Sequence, residues 1–92
     1  MTSQTVTVVN QLGMHARAAA KFVHLATGYE SRVKVARDRR EMDGKSIMGL
    51  LLLAAAQGST ITISAEGRDE TDAVAALVAL VASGFGEDAC GA

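Results

Sequence analysis

Proline and tryptophan are absent, cysteine occurs once, and the aromatic residues amount to two phenylalanines and one tyrosine. With Cys90 as the only thiol, no intrachain disulfide can form, and nothing in the cysteine usage points to an oxidising compartment. An excess of charge of one sign is also missing. Nine lysines and arginines face ten aspartates and glutamates, so no overall field recruits nucleic acid or a membrane surface, and any electrostatic docking must come from a local patch. The longest apolar run, Ile47 to Ala56, falls short of the roughly 20 residues needed to cross a bilayer. The start, Met-Thr-Ser-Gln-Thr, has neither the basic residues nor the apolar stretch of a signal peptide. A cytoplasmic protein without membrane insertion is expected. Neither the dinucleotide-binding nor the P-loop glycine fingerprint occurs, and no internal repeat is visible.

What is present reads as one domain over residues 1–84, followed by a Gly-rich, acidic and flexible tail at 85–92. Thr5-Val6-Thr7-Val8 alternates polar and apolar residues, as a half-buried strand does. From Ala16 to about Thr27 the period becomes helical, with Ala19, Phe22, Val23 and Ala26 on the core side and Arg17, Lys21 and His24 in a basic line on the other; Gly28 stops the helix. Val33 and Val35 mark a second strand, Arg37-Asp38-Arg39-Arg40 a turn, and Glu41-Met42 a short third strand ended by Gly44. Ser46 then caps a helix over Ile47–Ala56, stopped by Gly58. That helix has no polar side, so a domain of this size cannot cover it, and something else should cover part of it. Thr60–Ala65 alternates again, Asp69 is placed to cap a last helix, and its stripe is Ala73, Val74, Leu77, Val78 and Val81 up to Gly84. The order β-α-β-β-α-β-α with half-buried strands predicts an α+β fold, a four-stranded antiparallel sheet with three helices on one face. A ferredoxin-like RNA-binding domain shares part of this order, but its strands carry stacking aromatics and these have none.

The chemistry concentrates at Gly13-Met14-His15-Ala16-Arg17. A histidine at a helix start lies where backbone N–H groups lack intrahelical partners, and that end of a helix favours anions. Arg17 adds a planar fork suited to phosphate. Both features favour a dianionic phosphoryl group once it is attached. His15 is therefore the candidate phosphoryl acceptor. His24 stands nine residues from His15 with no cysteine or carboxylate in either motif, so no metal is expected, and no cofactor.

Leu12-Gly13-Met14-His15-Ala16-Arg17-Ala18-Ala19-Ala20-Lys21-Phe22 resembles the active-site signature of HPr, the histidine phosphocarrier family of the bacterial phosphoenolpyruvate-dependent phosphotransferase system. Lys45-Ser46-Ile47-Met48-Gly49 resembles that family's regulatory-serine segment, and Gln57-Gly58 running into Ile61–Gly67 its last strand. The resemblance covers about Thr5 to Gly84 and implies an open-faced β-sandwich. It further implies a stoichiometric carrier, not an enzyme, in which His15 receives a phosphoryl group on Nδ1 from phosphorylated enzyme I and passes it to an EIIA-type domain, with Arg17 as phosphate partner. By the same resemblance Ser46 is a target of HPr kinase/phosphorylase, and Ala16, Ala20, Lys21, His24, Ile47, Met48, Gly49 and Leu51 belong to a docking surface on a monomer. The alternative is an HPr-like regulatory paralogue, of the nitrogen-related branch or an interaction module, whose output is protein binding. Ala18 departs from the family, which usually has proline there.

Overall fold

A computed structural model describes residues 1–86. Four strands, β1 (Thr2–Thr7), β2 (Arg32–Arg37), β3 (Arg40–Asp43) and β4 (Thr60–Glu66), form one sheet in the order β1-β4-β2-β3, and every neighbouring pair is antiparallel. The period-two pattern decides which face is which. Val33, Val35, Ile61, Ile63 and Ala65 are buried, while Arg32, Lys34 and Thr60 on the alternate positions are exposed. The register enforces this across strands: Val35 is the partner of Ile63, and Val6 of Ile61.

The helices α1 (Ala16–Thr27), α2 (Ile47–Leu53) and α3 (Glu70–Ala82) cover the apolar face. Helix α3 packs on β1 and β4, α2 packs on β2 and β3, and α1 lies against the other two helices. One face of the sheet is thus left to solvent, and the fold is the α+β open-faced sandwich expected from the order of elements. Phe22, Leu50, Leu53, Leu77, Val74 and Val81 supply the helical side of the core. Of the expected stripes, Val23 and Val78 are only partly buried, and Ala18 joins α1's buried side.

Four expectations are corrected. Strand β1 spans Thr2–Thr7, so it starts before Thr5 and ends before Val8, which is buried in the core instead. Helix α2 stops at Leu53, three residues early, because Ala54 takes a left-handed conformation with φ 53°. Asp69 stands at the N-cap of α3, yet its side chain makes no capping bond; its carboxylate accepts the N–H groups of Glu30 and Ser31 at 2.8 and 3.0 Å and the Ser31 hydroxyl. Phe85, assigned to the tail, is fully buried in the core. Residues 87–92 of that tail, including Cys90, lie outside the described residues.

Candidate functional site

His15 owes its position to a loop that cannot straighten. Gly13 has φ 64°, and a Cβ there would lie 2.5 Å from the Ala55 carbonyl oxygen, so the backbone can approach that carbonyl only as glycine. The next N–H, of Met14, donates to Ala55 O at 2.8 Å, and the Met14 side chain is buried. Asn10 Nδ2 donates to Gly13 O at 2.8 Å, and Val8 exchanges backbone bonds with Gly58 and Ser59 at 2.8 Å each. The loop is therefore stapled to the segment just beyond α2. His15 follows in an extended conformation, φ −77° and ψ 177°, as the N-cap of α1, and its carbonyl accepts the Ala19 N–H at 2.8 Å. The imidazole is half-buried.

Around it, Arg17, Lys21 and His24 are exposed along α1, as the helical spacing predicted, and Ala16 and Ala20 are exposed with them. Lys21 is also structural: its Nζ donates to Phe85 O at 2.8 Å and ties α1 to the end of α3. Ser46 caps α2, its Oγ accepting the Gly49 N–H at 3.0 Å. Lys45 Nζ beside it donates to Tyr29 O at 2.8 Å, which fixes the start of α2 near the end of α1.

The apolar helix behaves as its composition demanded. Leu50, Leu53 and Gly49 are buried, while Ile47, Met48 and Leu51 are 42%, 67% and 37% exposed, an exposure that costs solvation unless a partner covers it. Gly49 does not belong with them on the surface. It faces β3, where a Cβ would meet Met42 Cβ at 3.3 Å, so its role is close packing. The strip extends further than the sequence reading had it, with Leu52 exposed on α2 and Leu12 exposed on the His15 loop. Leu52 was hidden among four successive leucines, where only the actual end of the helix decides which sides face out. The His15 loop and Ser46 join opposite ends of α2, a helix about 10 Å long by its seven residues.

An N-cap histidine and arginine beside an exposed apolar strip suit the handover of an anionic group between proteins. Residues 2–83 match the family model PTS-HPr, described as the PTS HPr component phosphorylation site. The chain belongs to the HPr family. A phosphocarrier protein HPr from Cupriavidus necator is 49% identical over 95% of this chain and 98% of its own length. Phosphocarrier protein NPr from Escherichia coli K12 is 43% identical over 92% of this chain and 96% of its own. Among solved structures, HPr from Thermoanaerobacter tengcongensis superposes with a TM-score of 0.92 at 43% identity, covering 96% of this chain and 99% of that one. Family members are phosphocarriers of the phosphotransferase system by name, and this chain has their fold throughout its described length. Among the described residues no helix is long and apolar enough to cross a membrane, and no group of three potential metal-ligating His, Cys, Asp or Glu side chains converges.

Proposed function

We propose that His15 is the phosphoryl acceptor of this carrier, charged by phosphorylated enzyme I and discharged to an EIIA-type domain. The observation that carries the reading is the placement of a half-buried imidazole at the N-cap of α1, on a loop stapled to α2, whose apolar side chains are exposed. The Nδ1 lone pair attacks phosphorus as the bond to the donor's leaving group breaks. The N–H groups of the first turn and the Arg17 guanidinium then hold the dianion. No cofactor takes part, and a single copy of the chain supplies the site. Ala16, Ala20, Lys21, His24, Ile47, Met48 and Leu51 form the docking surface, apolar at its centre and basic along α1, as protein interfaces with charged rims are.

Ser46 carries a second, regulatory reading: phosphorylation there by HPr kinase/phosphorylase. The hydroxyl caps α2 next to Ile47 and Met48, so a phosphate would add about −2 charge at the edge of the docking surface while a helix start tolerates it. Incubation with such a kinase that leaves Ser46 unmodified removes this part of the reading.

The test of the carrier is incubation with phosphoenolpyruvate and each type of enzyme I, sugar-branch and nitrogen-related, in the cytoplasmic pH range. Transfer that disappears in His15→Ala supports the assignment, and the enzyme I that transfers faster identifies the branch. A protein that docks to enzyme I without accepting phosphate is a regulatory paralogue instead.

A further inference from the structure

The β2–β3 hairpin carries a second concentration of positive charge that the phosphocarrier reading does not use. Arg37, Arg39 and Arg40 flank Asp38 at its tip, and the four residues line an open cleft of about 380 Å³. Arg37 and Arg40 are direct partners in the last rung of the ladder. Like charges facing each other across two strands destabilise the pair unless something offsets them.

Part of the offset is visible. Arg37 Nη1 donates to Leu53 O at 3.0 Å and Arg40 Nη1 donates to Leu52 O at 3.2 Å, so both guanidinium groups are held against the last carbonyls of α2, where cations are favoured. Each keeps its remaining N–H groups for other acceptors. Among the described residues none of the three arginines is in an ion pair, and Arg39 makes no hydrogen bond. Asp38, the one acid at the tip, sits in the left-handed region with φ 56° and pairs with none of them.

We propose that this tip binds the phosphate group of a small phosphorylated molecule. Guanidinium forks match phosphate oxygens two at a time, and two of the three are already oriented by α2, so little freedom is lost on binding. A dianion also cancels the Arg37–Arg40 repulsion, which a neutral ligand cannot do. The cleft is of small-molecule size. The basic residues do not continue as a free track, since Arg32 and Lys34 stand on the alternate face of β2, Lys34 is paired with Glu41 at 3.5 Å, and Glu41 and Asp43 stand on β3. The hairpin has no aromatic ring on which a base could stack, so a nucleic-acid strand fits it poorly.

The experiment follows amide resonances of the full chain at constant ionic strength during titration with inorganic phosphate, ribose 5-phosphate, oligothymidine or chloride. Inorganic phosphate and ribose 5-phosphate are expected to shift Arg37–Glu41 saturably. Arg39→Gln is expected to weaken that binding about tenfold, as loss of a charge-assisted pair does, with an unchanged melting temperature because Arg39 bonds to nothing in the fold. Equal shifts with chloride, shifts confined to the His15 loop, binding of oligothymidine alone, or an Arg39→Gln variant that binds as well as the parent would each overturn the proposal. The readout requires no phosphotransfer, so it stands apart from the role of His15.

Discussion

Ala18 is the third residue of α1 and is 1% exposed. A residue in the first helical turn has no intrahelical acceptor for its N–H, so proline breaks no helix bond there while restricting the unfolded chain, and the N–H groups of Ala16 and Arg17 remain for the phosphoryl group. Ala18→Pro is expected to raise stability by about 0.4–1 kcal/mol, read as a melting temperature higher by a few degrees, with the rate of transfer from enzyme I unchanged. A variant of unaltered stability and much faster transfer would show that this residue tunes the chemistry. Phe85 is the other residue whose change is most telling. Its N–H donates to Leu80 O at 2.9 Å and the Gly84 N–H to Val81 O at 3.0 Å, with Gly84 at φ 73°. That is the Schellman closure of α3, which turns the chain so that the ring enters the core. Phe85→Ala is expected to cost about 3–5 kcal/mol in urea unfolding. The signal was in the sequence: a glycine followed by an apolar residue at a helix end. Reading the tail by its glycine and acid content concealed it.

At the scale of elements, α2 shows best what a sequence can and cannot announce. Its start was legible, because a serine before an apolar run is a capping signature, and Ser46 makes the bond the signature implies. Ser46→Ala should therefore cost about 1 kcal/mol in thermal or urea unfolding, while Ser46→Asp, which can still accept the Gly49 N–H, should lose far less. Its end was not legible. Ala54-Ala55-Ala56 has the highest helix propensity available, yet the helix stops before it. The reason is tertiary: Ala55 O is taken by the Met14 N–H, and Arg37 and Arg40 satisfy the carbonyls of Leu53 and Leu52. No local pattern reports a partner 16 or 12 residues away. The same helix separates docking from folding. Met48 is 67% exposed, so Met48→Gln is expected to leave stability within about 0.5 kcal/mol and to slow transfer to and from partner proteins, measured as a raised KM for the carrier.

For the whole molecule, two adjacent acids at the start of α3 lock the sheet's far strand and the α1–β2 connection to one helix. The Asp69 carboxyl is held below the usual carboxylate range, first by the Ser31 hydroxyl and then by the Glu30 N–H. Glu70 is lowered as well, first by the Thr2 hydroxyl at 2.6 Å and then by the Gly67 N–H at 3.3 Å. A carboxyl whose folded pKa lies below its unfolded value binds fewer protons in the native state, so unfolding takes up protons as the pH falls. The stability these two acids contribute is complete above their unfolded values of about 4 and is lost as the pH drops through the lower folded values. Asp69→Asn cannot take part in that titration. The variant is expected to be less stable than the parent at about pH 7, and the gap between the two should narrow steadily below about pH 4, with urea midpoints as the measure. A gap that stays constant down to about pH 3 would mean that Asp69 acts by geometry alone, and that its charge contributes nothing to joining α3 to the Glu30–Ser31 turn.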